Sequence, residues 1–252
     1  MTVNELYRAL DAKIPASLSE EWDNDGLMCC PDGEREVKRV LFSLDVTDSV
    51  VAYAQKTRAD VIVSHHPLIF APLSSLTEQT PVGARLLRLV KAKIAVFSFH
   101  TRFDRVAGGV NDTLAKTLRL SDVRALGEGE SSLGRIGKLP TEMTVADFAE
   151  YAKRALGAPM AQVHDAKKTV SFVALVGGEG KELISAAISA GADTYLSGRL
   201  GYHVMQDSPI NLIEAGHYFT ERPAMTSLCD TVKALLPEVQ TEIYTPNPLD
   251  SY

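Results

Sequence analysis

Cysteine is scarce in this chain: Cys29, Cys30 and Cys229 are the only three in 252 residues, and no CxxC spacing occurs. So sparse and odd a set excludes a disulfide framework and suits a reducing compartment. The vicinal pair Cys29 and Cys30 keeps two readings, ordinary buried thiols or a soft-metal or oxidant-sensing pair. No apolar run approaches the ~18 residues of a membrane span. The opening stretch MTVNELYRALDAKI interleaves acid and base with apolar residues, which predicts an amphipathic helix and not a signal peptide. Positive charge is short as well, with 26 Lys and Arg against 32 Asp and Glu and a formal net charge of -6. That balance supplies no broad basic field and argues against a nucleic-acid partner. The expectation is a soluble cytoplasmic protein with no membrane partner.

What is present points to a sizeable core. Residues are 45% hydrophobic and 23% charged, and the length fits one large domain or two intimate lobes. Strand-like VKRVLFSLDV is followed by helical DSVVAYAQKT, strand-like ADVIVS, helical PVGARLLRLVKA, strand-like KIAVFSF and helical GGVNDTLAKTL. The second half repeats the alternation: KKTVSFVALV, GKELISAAISAG, ADTYLS, PINLIEA, then MTSLCDTVKALL. Such a pattern predicts an α/β fold of two related lobes, with mainly parallel sheets and crossover helices. ADVIVSHHPL lies on ADTYLSGRLG and KIAVFSFHTRFD on PINLIEAGHYFTE, so His100 falls on His217 and Asp104 on Glu221, each pair four residues apart. The expected organisation is an N-terminal lobe over 1–125, a Gly- and Ser-rich connector with one helix (TVADFAEYAKRAL) over 126–164, and a C-terminal lobe over 165–252.

His65, His66, His100 and His217 each follow an apolar strand directly. In a parallel α/β sheet the carboxyl ends of the strands share one edge, where ligands bind. The reading therefore puts a metal site between the lobes, at strand C-terminal ends. Asp104 and Glu221 stand one turn further on, either as helix caps or as ligands. Imidazole with carboxylate suits zinc, iron or manganese, and more than four donors suit two divalent ions better than one. Adjacent residues of a strand point to opposite faces, so His65 and His66 would each take a different ion.

WDNDGL, LFSLDVT, SHHPLIF, HTRFD and GHYFTE, in this order along nearly the whole chain, resemble the family of type 2 GTP cyclohydrolase I homologues, also called NGG-interacting-factor-like proteins. The resemblance implies a two-lobed α/β fold, a toroidal homohexamer and a dinuclear metal centre. It matches His66 and Asp104 to ligands of one ion, His65 and His217 to ligands of the other, and Glu221 to the bridging carboxylate. His100 matches a histidine beside the metals that is a ligand, a general base or an orienting group. The length fits the short form that lacks an inserted domain. One position departs: Arg199, in SGRLGYH, stands where family members often carry an acid. It is either a solvated surface group or a forked donor to a phosphate, and His203 in the same segment is a further pocket candidate.

Other signals are softer. Gly177, Gly178 and Gly180 in LVGGEGKELI sit between strand and helix like a phosphate cradle, but without a full GxGxxG or P-loop ending. Asp23, Asn24 and Asp25 read as a turn with Trp22 in the core, whereas the resemblance moves that loop toward the pocket. The tail TPNPLDSY carries no structural signal. Functionally the donor set predicts a metal-dependent hydrolase of a small molecule such as a nucleotide, with His100 as proton shuttle. For GTP, which the family's name suggests, attack opens the imidazole ring and releases the formyl carbon. The alternative is a non-catalytic metal-binding oligomer that serves as adaptor, chaperone or metal store.

Overall fold

A computed structural model describes residues 1–127, 133–247 and 249. In chain order these residues form α1 (Val3–Lys13), β1 (Gly26–Cys29), β2 (Arg39–Ser43), α2 (Asp48–Thr57), β3 (Val61–Ser64), α3 (Pro81–Ala92) and β4 (Ala95–Ser98). Then come α4 (Thr101–Arg105), α5 (Val110–Thr117), β5 (Ser121–Leu126), β6 (Gly134–Met143), α6 (Val145–Leu156) and β7 (Gln162–His164). The chain continues through β8 (Val170–Glu179), α7 (Ile184–Ser189), β9 (Thr194–Arg199), β10 (Asn211–Glu214), α8 (His217–Glu221), α9 (Ala224–Leu235) and β11 (Gln240–Ile243). Helix starts follow the sequence: Thr2 makes a capping box with Glu5, and Thr47, Thr80 and Thr144 each accept a backbone N–H at the start of α2, α3 and α6. No helix among the described residues is long and apolar enough to cross a membrane.

Contacts divide the described residues into two compact units, Met1–Phe103 with the segment from Met225 to Asn247, and Asp104–Ala224. The first holds a sheet in the order β1-β4-β3-β2-β11, parallel throughout except for β1. Leu41, Ile62 and Val96 form one row across it and pack under Val50, Val51 and Ala54 of α2 and Leu86 and Leu89 of α3. The alternate residues Val40, Val61 and Ala95 are buried too. Both faces being covered, these strands show an unbroken apolar run in place of a period of two.

The second unit holds a sheet in the order β5-β6-β8-β9-β10-β7. Its centre, β8-β9-β10, is parallel, while β5, β6 and β7 pair antiparallel. Leu175, Leu196 and Ile213 face one apolar cluster with Phe148 of α6; Ala174, Tyr195 and Leu212 face another with Ala187 of α7.

The α/β class is as expected, but the lobes divide elsewhere. The first unit's N-terminal part ends inside α4, not at 125, and the C-terminal segment does not stay with 165–224, because β11 adds to β2 in the first sheet. The supposed connector carries β6, a ten-residue strand paired with both β5 and β8; its residues 128–132 lie outside the described ones, as do 248 and 250–252 of the tail. Its glycines mimic a linker because the neighbours come close: a Cβ on Gly134 would lie 2.9 Å from Leu126 and 3.0 Å from the Leu175 carbonyl.

The repeat shows in matching hydrogen bonds within each unit. Asp60 Oδ2 accepts the backbone N–H of Lys38 and Arg39, and Asp193 Oδ2 accepts those of Ser171 and Phe172. Phe99 N–H donates to the Ser64 carbonyl as Ala215 N–H donates to that of Ser197. This register carries a correction: His100 follows Phe99 directly, whereas Gly216 intervenes between Ala215 and His217. His100 thus precedes α4, and His217 opens α8.

Candidate metal centre

In the first unit, β2, β3 and β4 run parallel and end at one edge, which delivers His65, His66 and His100. One ring nitrogen from each lies within 4.8 Å of the others. Ring centroids are 5.0 Å apart for His65 and His66, 5.2 Å for His65 and His100, and 5.6 Å for His66 and His100. The adjacent histidines converge because the chain has left β3 after Ser64, so strict strand alternation no longer applies.

Each ring has its Nδ1 engaged by an acceptor. His65 Nδ1 lies 2.9 Å from the Phe99 carbonyl, His66 Nδ1 2.7 Å from Asp45 Oδ1, and His100 Nδ1 2.9 Å from Asp23 Oδ1. A carbonyl or carboxylate can only accept, so the proton sits on Nδ1, and in the neutral ring the lone pair falls to Nε2. This is how proteins orient metal-binding imidazoles. Burial alone would raise the Asp23 carboxyl, but hydrogen bonds from His100 and from the Thr101 hydroxyl and N–H hold it down at about 2. It therefore stays an acceptor at any neutral pH.

Asp23 and Asp25 are more than a turn. Asp23 binds His100 and Thr101, and Asp25 Oδ2 accepts both the His100 N–H and Arg102 Nε–H. Trp22 is not in the core, being 62% exposed, because these carboxylates fix the loop and turn the neighbouring indole outward. The orienting roles of Asp23 and Asp45 were missed; Asp45 stands two residues beyond β2, at the same strand edge as the histidines, and that position was the available signal.

In the second unit, Asp104, His217 and Glu221 supply the donors. His217 Nε2 lies 3.1 Å from Glu221 Oε2, one helical turn apart on α8, and carboxylate oxygens of Asp104 and Glu221 come within 4.8 Å of each other. Buried Asn111 secures Asp104, donating Nδ2–H to its backbone carbonyl at 3.0 Å while its Oδ1 accepts Gly177 N–H at 2.7 Å. The glycines of LVGGEG have a packing reason. A Cβ on Gly178 would lie 2.3 Å from Glu221 Oε1 and 3.2 Å from His217 Nε2, so the strand must be bare where α8 crosses it.

At Gly198 the obstacle is backbone, a Cβ there meeting the Gly178 carbonyl at 2.6 Å and the His217 Cα at 2.8 Å. Gly198→Ala is expected to destabilise the protein by about 1–3 kcal/mol and to displace α8. Urea unfolding together with zinc titration checks this; unchanged stability and affinity would contradict it.

Arg199 is exposed at the end of β9, and His203 is exposed in the turn beyond, in ring contact with Tyr202. Neither belongs to a donor group among the described residues. Burial pushes the Cys29 thiol up to about 11, and Cys30 is raised as well, so both remain protonated thiols at neutral pH, as the ordinary reading of that pair has it.

A family model described as Duf34/NIF3 (NGG1p interacting factor 3) matches residues 1–248. A Clostridium perfringens protein named GTP cyclohydrolase 1 type 2 homolog is 31% identical over 94% of this chain and 93% of its own length. A Streptomyces coelicolor protein of the same name is 34% identical over 94% of this chain and 86% of its own. Among solved structures, the Staphylococcus aureus hypothetical protein SA1388 superposes with a TM-score of 0.90 at 26% identity, covering 100% of this chain and 99% of that one.

Proposed function

Since the chain belongs to the DUF34/NIF3 family, we propose that it binds a pair of divalent ions and acts as a metal-dependent hydrolase on a nucleotide or related small molecule. The observation that carries this reading is the set of three converging imidazoles in the first unit, each with its Nδ1 tied to an acceptor. Core histidines satisfied for packing alone have no need of three such pairings with a ring nitrogen of each gathered within 4.8 Å of the others. The fit is chemical as well, because nitrogen and carboxylate oxygen without thiolate suit zinc, iron or manganese.

The residues proposed to hold the ions are His65, His66, Asp104, His217 and Glu221. Two divalent ions held by these residues would supply Lewis-acid activation of a water at neutral pH. His100 is the proposed general base. Asp23 holds its Nδ1–H, fixes the tautomer and stabilises the imidazolium formed when Nε2 takes a proton. Asp45 does the same orienting work for His66. The relatives' name makes GTP the first substrate to try, and a homohexamer is part of the same proposal.

The test is metal per chain after reconstitution with zinc, manganese or iron, followed by assays on GTP, other nucleotides and phosphoesters with chelated and His66→Ala controls. His100→Gln separates its roles, since a general base is lost without loss of metal and a ligand is lost with it. The expected result is retained metal and metal-dependent turnover, both absent in His66→Ala. Activity that survives complete demetallation overturns the hydrolase reading, and metal retention without turnover on any of these compounds favours the adaptor or store.

A further inference from the structure

We propose that Trp22 and Phe70 form a fixed aromatic ledge that stacks a planar heteroaromatic ring of the substrate beside His100; this rests on the proposed function and names the substrate class. Trp22 is 62% and Phe70 55% exposed. A single exposed apolar side chain needs no explanation. These two, however, are in contact with each other and with the third imidazole of the cluster: ring centroids are 6.1 Å apart for Trp22 and Phe70, 6.2 Å for Trp22 and His100, and 6.4 Å for Phe70 and His100.

The ledge is built in place. Asp23 and Asp25, on the residues after Trp22, are locked to His100, Thr101 and Arg102. Between them, Asn24 Nδ2 donates to the Ile69 carbonyl at 2.5 Å, next to Phe70. The side chains of Asp23, Asn24 and Asp25 thus hold two rings in the open beside His100. Pre-positioned aromatic faces bind flat, conjugated ligands at little entropic cost, and base–aromatic stacking is strong whatever the base. The tilt of 55° between the rings leaves no slot between them, so the ligand stacks on the outer face of the indole with Phe70 at its edge.

Trp22 is the only tryptophan in the chain, so its fluorescence reports on this position alone. The experiment titrates zinc-loaded full-length protein with guanosine, adenosine and ribose 5-phosphate, measuring bound zinc in parallel. Saturable quenching by the nucleosides and none by ribose 5-phosphate is expected. Phe70→Ala is expected to weaken nucleoside binding by about 5- to 100-fold with zinc content unchanged. Two results overturn the proposal: no saturable quenching by either nucleoside in a protein that holds its zinc, or an emission shift with protein concentration alone, which shows that a second copy covers the indole. A protein that binds the nucleosides but retains no zinc defeats the metal reading and leaves the ledge standing.

Discussion

Replacing Arg102 by methionine is expected to lower stability by about 3–5 kcal/mol, the range for breaking a buried ion pair from one side. Arg102 is 1% exposed. Its Nε–H donates to Asp25 Oδ2 at 3.0 Å, and its Nη1 donates to Asp11 Oδ1 at 2.6 Å and to the Ile14 carbonyl at 2.9 Å. The guanidinium also lies 4.9 Å over the Phe99 ring. Methionine fills most of the space but leaves the Asp25 carboxylate, itself 4% exposed, without its cation. Changing both Arg102→Met and Asp25→Asn is expected to recover part of the loss, because the stranded charge then goes too. Urea unfolding with the slope held common to all variants measures the difference. A loss below about 1 kcal/mol, the size of a surface pair, would mean that water reaches Asp25. Since Asp25 also accepts the His100 N–H at 3.1 Å, the single variant should loosen that histidine as well.

The second large effect concerns metal affinity and separates ligands from the groups that aim them. His65→Ala removes a donor nitrogen outright and is expected to abolish retention of zinc through gel filtration. Asp45→Asn keeps all proposed donors and disturbs the Nδ1 partner of His66, so it is expected to weaken zinc by about 10- to 100-fold, whereas Asp23→Asn loosens His100, the proposed base, and is expected to leave zinc affinity unchanged. Competition against a chromophoric chelator resolves these steps. Heat denaturation gives a second readout: zinc at about 100 times its dissociation constant stabilises the native state by about 2.7 kcal/mol, and His65→Ala should lose that increment. If His65→Ala bound zinc as tightly as the unmodified protein, the three-imidazole cluster would not be a metal site.

Much of this was legible in advance, for identifiable reasons. The bounds of α2, α3 and α6 follow from an apolar stripe and a threonine at each start, information held within a dozen residues. The strand pattern at β2, β3 and β4 was clear because both faces are buried and the sequence is apolar throughout. Illegible were β6, whose glycines serve close approach to strands far away in sequence, and β11, whose place beside β2 is set by pairing across about 200 residues. Trp22 was misplaced because hydrophobicity says core, while three polar neighbours bonded to distant residues hold it outside.

The amino-acid order alone determined the α/β alternation, the duplicated Ala-Asp and Ser frame, and the arrival of four histidines at strand ends, since each depends on the period of a single element or on parallel topology. Tertiary structure decided which nitrogen of His65, His66 and His100 holds the proton, which carboxylates orient the rings, where the two units part, and that Trp22 stands in the open. The physical reason is that a tautomer and an orientation are fixed by whichever acceptor comes within about 3 Å, and Asp23 and His100, 77 residues apart, meet only after the chain has folded.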